Sequence, residues 1–204
     1  MPRRHDALVR AWLFVLRLAG LQPRVGDHTL LSNLGLAAPG DHRSCDLVVA
    51  MGGRLLLLDV VISSPIQASP RPAAAAAATP GGWADYQVKK KLSKYAPALA
   101  DLHVALAGGR EVVPLAYDAL GAPASRTKQF LNEVADRVAT ARRSHFWDTA
   151  TLVLSVALAR STADILLERA EATVAGEEWQ HPSHLLDWLD SQDLTWVGGG
   201  PAPW

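Results

Sequence analysis

The sequence predicts a mixed α/β (α+β) domain: a small mixed sheet flanked by helices, with a helical extension toward the C-terminus. Three observations predict it. Two short runs rich in Val, Ile and Leu flank a Gly52-Gly53 pair, a strong two-residue hairpin signal. Segments of helical period lie before and after that hairpin. Apolar residues make up 49% of the 204 positions, enough for one sizeable core.

Each element has its own warrant. Residues 4–19 form a first helix, because Leu8, Trp12, Val15 and Ala19 recur at helical spacing and Asp6, Arg10 and Arg17 share a polar stripe. Gly20 ends it. Residues 23–42 are rich in turn formers. Strands follow at 44–51 (SCDLVVAM) and 54–63 (RLLLLDVVIS), and then a proline- and alanine-rich loop that includes the run 73–78. Residues 83–101 read as a helix carrying Lys89, Lys90, Lys91 and Lys94. Residues 102–107 and 111–117 are candidate strands, the second closed by a turn at 118–121. A helix is expected over 125–143, and one long helix or two over 147–175. From Gly176 the chain is acidic and carries Trp179, Trp188, Trp196 and Trp204, with a short helix at 184–190. The expected organisation is a main domain over 1–143, a helical extension over 144–176, and a tail over 177–204 that is partly disordered and could dock a protein partner.

Composition excludes some classes. The formal net charge is zero, which argues against a protein that grips nucleic acid with its whole surface and leaves room for a local basic face. A single cysteine excludes an internal disulfide framework, and Cys45 within an apolar run reads as a small buried thiol. The apolar run 149–159 is far short of the roughly 20 residues that span a bilayer. A soluble, intracellular protein is expected, the nucleus included, with no membrane partner.

The chemistry lies in the hairpin. Met51 faces Arg54 across a two-residue turn, and counting outward sets Asp46 directly opposite Asp59 on one face, with Cβ atoms about 4.5–5.5 Å apart. Two opposed carboxylates among apolar neighbours destabilise a fold unless something compensates. A shared proton or a basic side chain would serve, and a divalent cation held by both serves best. Hard oxygen ligands suit Mg2+ or Mn2+. Lys91 and Lys94, three apart on the next helix, could bring an ammonium to that site. Alone, such a lysine run reads as a solvated face. His181, His184 and Asp187 read as surface, because no further ligands converge there.

These residues resemble a known family. SCDLVVAMGGRLLLLDVVIS, then VKKKLSKY some two dozen residues later, is similar to the restriction-enzyme-like endonuclease domain of site-specific non-LTR retrotransposons. That domain is a PD-(D/E)XK nuclease variant whose lysine has moved to a helix. The opening RHDALVR and the segment VVPLAYDALG followed by FLNEVA extend the resemblance over about residues 3–140. It implies a restriction-endonuclease-like core. It also implies Asp46 and Asp59 as metal-binding catalytic carboxylates and Lys91 as catalytic lysine, with Tyr95 packed beside them. Arg4 and His5 would lie near a nucleic-acid entrance, Asp6 could add a carboxylate, and Lys90 and Lys94 would join Arg4 and His5 in contacting nucleic acid. Cys45 stands where the family has proline, and Val61 where the standard motif has lysine. Asp118-Ala119-Leu120-Gly121 replaces a Thr-Phe-Gly turn.

The expected function is therefore a Mg2+- or Mn2+-dependent endonuclease that hydrolyses or nicks DNA. The alternative is an inactive retroelement remnant that binds DNA or protein.

Overall fold

A computed structural model describes residues 2–26, 45–63, 79–102 and 109–174. The expected strand at 102–107, the alanine-rich loop and the tryptophan-bearing tail lie outside these residues, apart from Leu102.

Helix α1 (Pro2–Leu18) leads to the two-residue strand β1 (Arg24–Val25). Strands β2 (Leu47–Met51) and β3 (Arg54–Ser63) form the hairpin. Helix α2 (Gly82–Leu102) crosses to β4 (Arg110–Asp118), and α3 (Ser125–Ala135) and α4 (Arg143–Val174) follow. The sheet order is β1-β2-β3-β4. The first two pairings are antiparallel and β3 pairs with β4 in parallel, as a helical crossover requires. The fold is thus a mixed α/β domain around a small four-stranded mixed sheet.

The hairpin register matches the sequence reading from Met51↔Arg54 to Leu47↔Leu58. Gly52 and Gly53 both have positive φ, 62° and 75°, which a tight turn of this twist requires and which side chains resist. Pro114 sits in β4, which is the last strand of the sheet among the described residues, a place where a residue without an N–H is tolerated.

Strand β3 is buried on both faces, so its apolar run is nearly continuous. Leu56, Leu58 and Val60 face the main core with Leu8, Trp12 and Val15 of α1 and Phe146, Leu154 and Leu158 of α4. Trp12 meets Phe130 at 5.7 Å between ring centroids, within the range of favourable aromatic pairs. Val61 packs against a second cluster, Ala84, Val88, Ala116 and Ala124, beneath α2. An aliphatic residue at this position therefore serves packing.

Two expectations need correction. The helix expected over 125–143 stops at Ala135. Asp136 caps it, Ala139 leaves the helical conformation (φ −51°, ψ 136°), and Thr140–Arg142 forms a single 3-10 turn before α4. Half-buried Val138 packs on the core through this break. Secondly, the apolar run expected to fall far short of a span belongs to a longer one: Thr140–Leu167, the 3-10 turn together with most of the 32-residue α4, is long and apolar enough to cross a membrane by length and composition. Its core-facing residues, Phe146, Ala150, Leu154 and Leu158, pack within the domain.

Two aspartates fix the connections between these elements. Asp85 of α2 accepts hydrogen bonds from the Ser125 N–H (2.7 Å) and hydroxyl (2.9 Å), satisfying the start of α3 from outside. Asp118 accepts from the N–H groups of Leu120 and Ala122, at 2.9 and 2.8 Å, which fixes the turn expected there.

Candidate active site

The ladder between β2 and β3 ends one residue short of the expected aspartate pair. The Asp46 N–H donates to the Leu58 carbonyl (2.9 Å), the residue already opposite Leu47, and the Asp46 carbonyl accepts from Gly26 (2.8 Å). This is the behaviour of a bulge: two residues of one strand address one of the other. Main-chain pairing of Asp46 with Asp59 is therefore replaced. The Asp46 carboxylate turns inward instead and accepts the Val60 N–H at 2.6 Å. Gly26 is needed beside it, because a Cβ there would collide with the Cys45 carbonyl.

Asp59 lies mid-strand and is 4% exposed. An ionised carboxylate cannot be left unpaired at that depth. Lys91 answers it with its ammonium 3.1 and 2.9 Å from the two carboxylate oxygens. The Tyr95 hydroxyl donates to Oδ2 at 3.0 Å. Lys91 and Tyr95 are one helical turn apart on α2, so one face of that helix delivers both. Burial pushes the Asp59 carboxyl above its ordinary range, and the nearby Asp46 charge adds to this. Lys91 and the Tyr95 hydrogen bond pull the other way. Burial and the Asp59 charge likewise raise the Tyr95 hydroxyl, which keeps it a proton donor.

Asp46 is approached from α1. His5 Nε2 lies 3.2 Å from Asp46 Oδ1, and His5 Nδ1 lies 3.2 Å from Asp6 Oδ1. Bonding to Asp46 is the largest influence on His5. With Asp6 it outweighs partial burial and lifts the imidazole to about 9. His5 is thus an imidazolium at neutral pH, with both ring nitrogens donating to carboxylates.

The remaining candidates fall on either side of this cluster. Arg4 donates to the Ala119 carbonyl (2.7 Å) at the turn after β4, which directs it to that turn. Lys90 and Lys94 are exposed on α2. Two partnerships escaped sequence reasoning. His5 was expected at an entrance, and the structure sets it on Asp46. Tyr95 was expected as packing, and it hydrogen-bonds Asp59. Helical spacing from Lys91 could have found Tyr95. No local signal links His5 to Asp46, because the two are distant in sequence.

Chemically, the cluster offers four carboxylate oxygens at the end of β2 and middle of β3, each carboxylate balanced by one organic cation. No cluster of three or more metal-ligating side chains occurs among the described residues. Mg2+ is commonly held by one or two carboxylates, with water and substrate phosphate completing its shell, so the donor set fits such an ion. No family model matches the chain, and no curated protein does either.

Proposed function

We propose that the chain is a Mg2+- or Mn2+-dependent DNA endonuclease with a restriction-endonuclease-like core of the kind found in non-LTR retrotransposons. The observation that carries this reading is the convergence of Lys91 and Tyr95 on Asp59, beside the Asp46 carboxylate. A nuclease of this type needs two acids on adjoining strands and a cation able to face a phosphate, and these residues supply both.

Asp46 and Asp59 would hold the divalent ion, which supplies Lewis-acid polarisation of the phosphate and acidification of water. The Lys91 side chain is 31% exposed, so its ammonium is within reach of both Asp59 and solvent. It can stabilise negative charge developing on a phosphodiester. Tyr95 holds Asp59 in orientation through Oδ2. His5 does the same for Asp46 and adds a positive charge. Exposed Lys90 and Lys94 suit contacts to backbone phosphates, which position a duplex without reading its sequence.

Plasmid DNA incubated with Mg2+ or Mn2+ tests the proposal. Cleavage by the wild type and none by Asp59→Ala is the expected result. Equal activity in both proteins, or none in either, sinks it. One observation favours a second reading, a DNA- or protein-binding module without turnover: each carboxylate already has a cationic partner in the protein itself. That reading predicts a melting temperature unchanged by either metal.

A further inference from the structure

Helix α4 carries two apolar faces. One is the core face already described. The other bears Leu152, Val156, Ala159, Ala163, Leu166 and Ala170, all exposed, with Leu152 62% and Val156 52% accessible. Their spacing alternates between four and three residues, the repeat of a coiled-coil seam. At 100° per residue this seam lies on the side of the helix opposite Leu154 and Leu158. Ala159 and Ala163 at its middle let a second helix approach closely, and larger residues lie on either side of them.

We infer that this seam pairs with the same seam of a second copy of the chain, with the two α4 helices antiparallel. The inference is independent of the nuclease proposal. Charge complementarity chooses the occupant and the direction. Arg160 and Asp164 are both exposed on one flank of the seam. An antiparallel two-fold axis near residue 162 brings Arg160 of each copy to Asp164 of the other, making two identical ion pairs. A parallel pair brings no such match. Isologous contacts of this kind close after two copies. A lipid partner fits less well, because these two charges border the apolar strip and the opposite face holds the core. The seam is roughly 27 Å long. That places the contact near the lower size limit of specific interfaces, about 1,000 Å2 in total, and hence in the weak, concentration-dependent class.

Sedimentation equilibrium of the full chain, up to about 100 µM, tests this. The wild type is expected to dimerise. Arg160→Asp and Asp164→Arg should each weaken dimerisation about tenfold, because each sets like charges together twice. An equimolar mixture of the two variants should recover it, since every Arg160–Asp164 contact is then matched by opposite charges. Ala159→Glu, a surface change that leaves the core face intact, should give a monomer. A wild type that stays monomeric throughout, whether because another segment of the chain or a lipid covers the seam, overturns the inference. So does a dimer that ignores all three substitutions, or a mixture no more associated than its components.

Discussion

Two charged clusters lie along β3, and they are built on different principles. At its start, Arg54 and Arg126 alternate with Glu111 and Glu133. Arg54 lies 2.6 Å from Glu111 and 3.5 Å from Glu133, and Arg126 lies 2.5 and 2.7 Å from the same two. The ring is closed, neutral and partly solvated. In the second cluster, at Asp46 and Asp59, the two carboxylates belong to separate pairs approached from different helices, and one of them is almost wholly buried. A closed ring of four side chains near water adds modest stability and leaves nothing for a ligand to do. Two neighbouring acids with separate organic cations are the arrangement that the proposed function would use to admit a divalent ion. The contrast separates a fastening from a candidate site more sharply than counting charges does.

The largest expected effect that sharpens this contrast is on chemistry. Asp59→Ala should lower DNA cleavage by at least about a hundredfold, while Glu111→Gln in the ring should leave the cleavage rate within about twofold. Matched loss in both proteins would erase the distinction.

Next comes Lys91→Met. It leaves the buried Asp59 carboxylate without its ammonium, and stability should fall by about 2–3 kcal/mol at neutral pH in urea unfolding. The sign with pH follows from the raised Asp59 carboxyl. Stability tied to a folded-state carboxyl raised above its unfolded value is present at low pH and lost as pH rises through the folded value. The deficit of the variant should therefore shrink on acidification. A deficit that grows instead would show that Lys91 is not what compensates Asp59.

His5 gives a smaller effect in another window. Its imidazolium is favoured by folding, so its contribution is complete below about 6.5 and disappears as pH rises toward about 9. Because the side chain is 37% exposed, solvent screening reduces the effect to about 1 kcal/mol. His5→Ala should flatten the melting-temperature profile across that interval, and an unchanged slope would remove His5 from Asp46.

The smallest effect belongs to the ring. Arg54→Ala should cost less than about 1 kcal/mol and lose most of that cost in high salt, as exposed pairs do.

How much of this was legible in the sequence depended on range. The glycine pair announced its turn because both residues must adopt positive φ, and five strand pairs followed from it by counting. Helix α1 was legible because its apolar periodicity outweighs local detail. Strand β1 was not, since two residues carry no period. The break after Ala135 was hidden because no proline or glycine marks it. Val138 is drawn to the core instead, which is a tertiary cause. The bulge at Asp46 was invisible for a similar reason. Its backbone turns aside to serve Gly26, and pairing rules within one hairpin know nothing of a third strand. The aspartates could thus be found from pattern, whereas their companions from α1 could not.

The parallel partnership of β3 and β4 has a consequence in time. The hairpin closes over two residues, but Asp59↔Pro114 forms only after the whole α2 crossover has been brought back, and His5 must arrive from the beginning of the chain. Loop-closure entropy opposes such distant contacts until packing compensates for it. The two acids are therefore set beside one another early, and Lys91, Tyr95 and His5 reach them late. A folding intermediate would hold the carboxylates uncovered, at the moment when their mutual repulsion is least opposed. Dissolved divalent ions present at that stage should speed refolding of the wild type and have no such influence once Asp46 is replaced by alanine.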